Sequence, residues 1–242
     1  MTADADSRLD RRQPLAAALR EQTRIVHERA EAAPFIQQLL SGALPLSAYT
    51  ALVAQNYAIY QQLEAAAGRW RDHPAAGPFV LDELNRVPRL EADLEQLIGV
   101  GWAARASRLR VPATDLYVTR IREAATWPGG FIAHHYVRYL GDLSGGQVIL
   151  AGITRIYGLD GRRSTRFYVF DGISKLKPFR DQYRELLDRA PLTPAEQERV
   201  IAEAAIAFEL NTAVFADLAA RHLPAQALPG GRTDHRPPGR SA

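Results

Sequence analysis

The sequence contains no cysteine. That single absence removes disulfides, zinc–thiolate sites, iron–sulfur ligation and a thiolate nucleophile together. A reducing compartment suits such a chain, so a cytoplasmic location is expected. The only methionine is Met1, so no thioether is available inside the fold as a metal ligand. No run of about 20 apolar residues occurs, so neither a membrane-spanning helix nor a membrane anchor is expected. The start, MTADADSRLDRRQ, lacks the apolar stretch of a secretory signal. The formal net charge is only +3. The arginines are spread along the chain with no aromatic-rich basic stripe, so no nucleic-acid partner is expected.

What is present is helix-forming. Alanine, leucine, arginine and glutamate dominate and β-branched runs are scarce, which points to an all-α fold. A chain of 242 residues can build one sizeable core. Nothing linker-like divides its middle, so one domain is expected over residues 14–223. Residues 1–13 are polar and read as a loose tail. Residues 224–242, PAQALPGGRTDHRPPGRSA, are rich in proline and glycine and read as a disordered tail.

The chain is organised around Tyr136 to Val148, YVRYLGDLSGGQV. Its apolar flanks predict the middle of a long helix, yet it holds Gly141, Gly145 and Gly146. Each glycine inside a helix costs about 1 kcal/mol relative to alanine. Beside Ser144 they make a soft point where a helix can bend. Without side chains the backbone there can approach something flat and large. Asp142 sits at the bend, four residues after Arg138. A ligand pocket and close helix packing both remain open on this pattern alone. A dinucleotide-binding loop is excluded, because the spacing is not GxGxxG and no strand precedes it.

A helix is predicted from Leu15 to Ala30, opened by Pro14. Arg20, Arg24, His27 and Glu31 recur at spacings of four, three and four, so they share one face. That row is either a solvated charged face or a ligand site. In the second case His27 holds a metal, Glu31 orients it and the arginines pair with ligand carboxylates. The other histidines compete poorly. His73 lies in a loop, His222 near a helix end and His235 in the tail. His134 and His135 are adjacent, so they point about 100° apart, and packing or surface roles are expected for both.

Further elements follow from punctuation. Ser47 is expected to cap a helix whose face carries Tyr49, Leu52, Val53, Asn56, Tyr60 and Leu63. Leu81 to Ile98 reads as a helix interrupted at Pro88. Thr114 or Asp115 is expected to start a helix containing Tyr117, which TWPGG ends. Residues 158–174 read as a polar loop with a short β-like run, FYVF. A helix containing Arg180, Tyr183 and Arg184 follows. Thr193-Pro194-Ala195-Glu196 has the pattern of a capping box with proline at the first helical position, and the helix behind it carries Phe208 and Asn211 on one side.

YLGDLSGGQV resembles the distal-helix motif of haem oxygenases, and LREQTRIVHERAE resembles their proximal helix. With PFRDQYR the resemblance covers roughly Leu15 to Leu223. It implies an all-helical fold with haem (heme b, substrate and cofactor at once) sandwiched between a proximal and a kinked glycine-rich distal helix. It places iron ligation on His27. It places haem-edge or propionate contacts on Arg20 and Arg24, where relatives often carry lysine, and on Arg180 and Arg184. It ties Tyr60 and Tyr117, with Arg138, Asp142, Gly141 and Gly145, to the distal catalytic network. Phe208, Asn211, Tyr136 and Gly146 fall beside the haem. The implied reaction converts haem, O2 and electrons to the α isomer of biliverdin, CO and Fe2+. Electrons would come from a separate ferredoxin or flavin reductase, since no flavin or nicotinamide motif is visible, and a monomer is expected. No CxxCH occurs, so any haem is held non-covalently. The alternatives are a haem carrier or sensor on the same fold, argued against by Asp142 and the glycine pair, and a helical enzyme for another small substrate.

Overall fold

The structure, a computed structural model, describes residues 13–159 and 163–224. The expected tails fall almost entirely outside those residues. All regular structure among the described residues is helical.

The first expected helix is two, α1 (Leu15–Gln22) and α2 (Arg24–Glu31). The break is at Thr23, whose hydroxyl donates to the Leu19 carbonyl at 2.6 Å. Such a back-bond competes with the helical ladder and bends it. After α3 (Pro34–Ser41) comes α4 (Leu46–Ala67), with Pro45 rather than Ser47 at its cap position. It buries Tyr49, Leu52, Gln55, Asn56, Tyr60 and Leu63 on several sides. A helix apolar all round belongs in the centre of a fold, and α4 is the central helix.

Three prolines start helices that the sequence reading placed differently. Pro88 lies in the first turn of α5 (Val87–Ile98), Pro112 opens α7 (Pro112–Ala124), and Pro128 opens α8 (Pro128–His135). The helix expected from Leu81 is a short 3₁₀ turn, Asp82–Leu84, followed by α5, so the break falls just before Pro88; α7 begins before Thr114, and TWPGG follows the end of α7 with its proline opening the next helix. The missing proline N–H is harmless in a first turn, where no acceptor exists for it. A further helix, α6 (Trp102–Leu109), precedes α7.

The glycine-rich stretch is segmented. α8 runs into a widened π turn, Tyr136–Leu140. The helix is interrupted at Leu143 and Ser144, where Ser144 leaves helical backbone angles, and α9 (Gly145–Tyr157) follows. The expected β-like FYVF run instead overlaps a short 3₁₀ turn, Arg166–Tyr168. Asp93 of α5 accepts the Arg166 and Phe167 amides at 2.9 and 2.8 Å, so the backbone groups a strand would need are taken. Last come α10 (Leu176–Arg189) and α11 (Pro194–His222), the latter opened by the expected capping box between Thr193 and Glu196.

α11 packs mainly against α8 and α7, and also against α2 and α3, while α4 packs against α5 and α7. Buried polar groups lock these contacts. Glu203 of α11 lies between His134 of α8, at 2.9 Å, and the Arg120 guanidinium of α7. Burial opposes the Glu203 charge, but hydrogen bonds from His134 and Arg120 prevail and hold its carboxyl below the usual range. His135 meets the Tyr183 hydroxyl of α10 at 2.8 Å. Both histidines are thus packing residues.

Burial lowers the His135 pKa from 6.5 to about 3. The unfolded chain binds a proton there while the folded chain does not. Its contribution is complete above about pH 6.5 and is lost on acidification by about 1.4 kcal/mol per pH unit. Urea unfolding at about pH 7 and about pH 5 should show a smaller loss of stability in His135→Gln than in the parent chain. Equal losses would mean that His135 is not buried neutral.

Candidate active site

One cavity of about 340 Å³ opens between α2, α3, α11 and the segmented helix, a size suited to a small-molecule ligand. From α2 it receives His27, Ala30 and Glu31; from the segmented helix Val137, Arg138, Gly141, Asp142, Gly145 and Gly146; from α11 Phe208, Asn211 and Phe215. Helical spacing explains the convergence. Arg138, Asp142, Gly145 and Ile149 are three or four apart and stay on one side despite the kink.

His27 is part-exposed, with its ring edge-on to Phe208 at a centroid distance of 5.4 Å. Glu31 Oε2 is 3.7 Å from His27 Nδ1, too far for a hydrogen bond. On the distal side, a Cβ built on Gly141 or Gly145 would meet no atom within 4 Å. These glycines keep open space open. Gly146 differs: a Cβ there would stand 3.1 Å from Tyr168 Cδ1. Its missing side chain is space that Tyr168 fills.

Asp142 faces the cavity and accepts a hydrogen bond from the Tyr60 hydroxyl. Burial pushes its carboxyl well above the usual range, so the group is disposed to hold a proton. Arg138 makes no hydrogen bond to Asp142. Its guanidinium donates to Asn211 Oδ1 at 2.6 Å and to Asn56 Oδ1 at 2.8 Å, with its Cζ 5.1 Å from the Tyr60 ring centroid. Behind it lies Tyr117, fully buried and tilted against His134, its hydroxyl without a hydrogen-bond partner. Burial pushes the Tyr117 phenol up to about 12.

A model of the haem oxygenase family matches residues 13–217. The chain belongs to the haem oxygenase family. It is 38% identical over 205 residues to a haem oxygenase of Porphyra purpurea, covering 84% of this chain and 86% of that protein. It is 37% identical over 207 residues to haem oxygenase 1 of Synechocystis sp., covering 84% of each. Among solved structures, haem oxygenase-1 of Synechocystis sp. in complex with haem superposes with a TM-score of 0.80 at 34% identity, covering 86% of this chain and 94% of that one. The haem oxygenase of Leptospira interrogans gives 0.78 at 32%, covering 84% and 99%.

The remaining expected site residues of this haem oxygenase lie off the cavity wall. Arg24 is exposed and pairs with Glu28 at 2.9 Å. Arg20 is exposed, and Arg184 pairs with Asp181 at 2.7 Å. Both arginines act on the half-buried Tyr136, whose hydroxyl meets the Thr23 side chain, so basic groups of α1 and α10 gather at one edge. Arg180 donates to the Leu143 carbonyl at 3.1 Å and Ser144 Oγ at 3.2 Å, which clamps the kink. Several wall residues escaped the sequence reading as site residues, Asn56 and Tyr168 among them. Asn56 had a signal, a polar residue amid the apolar face of α4. Tyr168 had none, because it sits in an irregular turn with no period.

The donor set fits haem. An imidazole faces a wall where two missing side chains leave an open cradle, and Val137, Ile149, Phe208 and Phe215 add apolar surface beside the polar Asn56, Arg138 and Asn211. Gly145→Val should leave the melting temperature nearly unchanged yet weaken haemin binding about tenfold or more, read from Soret titration. Gly146→Val should instead lower the melting temperature, because Tyr168 must move. The reverse ranking would contradict this assignment of the two glycines.

Proposed function

We propose that this haem oxygenase opens haem at its α-meso position, giving biliverdin, CO and Fe2+, with His27 as the axial ligand of the iron. The observation that carries the reading is that His27, Gly141, Gly145 and Asp142 line one cavity. Bound haem would supply both the iron that activates O2 and the ring that is cleaved. The protein's part is positional. The imidazole of His27 offers a ring nitrogen to the iron, whereas no thiolate exists to drive O–O cleavage. Gly141 and Gly145 let bare backbone crowd the distal face. Asp142, fixed by Tyr60, holds a proton beside it for general acid work. Arg138, fixed by Asn56 and Asn211, keeps a positive charge at the wall. Arg20, Arg24, Arg180 and Arg184 are the candidates for the haem carboxylates.

The electrons come from a separate ferredoxin or flavin reductase, and the basic edge around Arg20 and Arg184 suits an acidic partner. We place the enzyme in the cytoplasm and propose that it acts as a monomer. Among the described residues no helix is long and apolar enough to cross a membrane.

The deciding experiment adds one equivalent of haemin, then a reductase system under air. Loss of the Soret band with growth of a broad red band, insensitive to catalase, supports the reading. A stable Soret complex would indicate a haem carrier. Asp142→Ala should keep haemin affinity within about threefold and lower biliverdin formation about a hundredfold. Unimpaired biliverdin formation would remove Asp142 from the mechanism. His27→Ala should lose the parent's Soret position and recover it with added imidazole.

A further inference from the structure

The turn Arg166–Tyr168 is anchored by an unusual number of buried polar side chains. Asp93, wholly buried on α5, accepts two of its amides. Tyr49, wholly buried on α4, donates to the Ser164 carbonyl at 2.8 Å. Arg86, 1% exposed just before α5, donates to the carbonyls of Phe167 at 3.3 Å and Val169 at 2.8 Å. Ser164 itself has φ +65°. A non-glycine residue keeps that left-handed conformation only where its surroundings over-determine it.

What this clamp delivers is Tyr168. Its ring is 2% exposed and lines the cavity. The space vacated by the Gly146 side chain lies 3.1 Å from Tyr168 Cδ1 and 3.4 Å from Asp142 Cβ, so the ring and the acid's stem border the same gap. Phe167 stands edge-on to both Tyr60, at 5.2 Å, and Tyr168, at 4.7 Å. Asp142 therefore has a phenol on two sides, Tyr60 through a hydrogen bond and Tyr168 across the gap that the Gly146 side chain would occupy. Burial first, then the neighbourhood of Asp142, raises the Tyr168 phenol above its ordinary value. The other ionisable groups acting on it are Arg138, from the segmented helix, and Asp93, from α5; Tyr49 couples to it from α4.

We infer that Tyr168 is a positioning residue for Asp142, presented by the Asp93–Arg86–Tyr49 clamp so that its hydroxyl sets the polar surroundings of the distal acid. This rests on the role given above to Asp142, and it adds a residue from outside both haem-facing helices. It also accounts for Gly146, whose lack of a side chain admits the Tyr168 ring.

The test uses Tyr168→Phe, which keeps the ring against Gly146 and removes only the hydroxyl, with Asp142→Asn alongside. Each is loaded with haemin, and the pH midpoint of the ferric water-to-hydroxide transition is read from the visible spectrum. For Tyr168→Phe, haemin affinity should stay within about threefold, while the midpoint moves by about half to one pH unit, the scale of one lost hydrogen bond. Biliverdin formation should fall in parallel. An unmoved midpoint in Tyr168→Phe, with a shift in Asp142→Asn, overturns the inference and leaves the Asp142 reading intact. The same holds if Tyr168→Phe only weakens haemin binding, since that marks a packing role. Unmoved midpoints in both variants overturn the Asp142 reading and this inference with it.

Discussion

Arg138 is a buried guanidinium held by two neutral amide oxygens, and the cavity depends on that arrangement. Its partners, Asn56 and Asn211, come from α4 and α11. The three residues tie the central helix, the π turn and the last helix together at one wall. Burying a cation without a carboxylate partner is expensive. Burial accordingly lowers the Arg138 pKa from its ordinary value. A fold that wanted only stability would place a hydrocarbon there. The positive charge is kept where the haem ring is proposed to sit, and both amides are set to hold it still.

Around that anchor the distal wall divides its glycines between two tasks. Gly141 and Gly145 leave volume open on the cavity side, whereas Gly146 cedes volume to a neighbouring ring. Arg180 fastens the break between them through Leu143 and Ser144. The kink is thus not simply a weak point in a helix. It is a fixed bend that turns bare backbone towards the cavity and places Asp142 at its edge. The proximal side is lighter in construction: His27 is steadied by the Phe208 ring and Glu31 stands beyond hydrogen-bond reach.

Much of this was legible beforehand, because periodicity and motif survive in one dimension. The all-helical class, the capping box at Thr193 and the glycine-acid stretch all rest on local chemistry. So does the family, since ten consecutive residues around Asp142 carry it. The errors were also local in origin. Pro88 and Pro128 look like breakers in one dimension and Pro112 gives no separate signal, yet a proline that ends one helix opens the next equally well. Thr23 looked like an ordinary helical residue until its hydroxyl found the Leu19 carbonyl. FYVF had a strand's composition, but Asp93, some seventy residues earlier, had already claimed its amides.

The sequence by itself determined the all-helical class, the absence of cysteine chemistry, the leading candidate histidine and the acid beside the glycines. These follow from residue type and spacing along a single helix. Only the tertiary structure decided which polar groups meet. Asp142 turned to Tyr60 rather than Arg138, Arg138 turned to Asn56 and Asn211, and Glu203 joined His134 to Arg120. It also brought Tyr168 to the cavity and left Arg20, Arg24 and Arg184 off its wall. The reason is physical. A buried polar group must find a partner, and which partner lies within 3 Å or so depends on how separate helices cross, not on the order of residues in the chain.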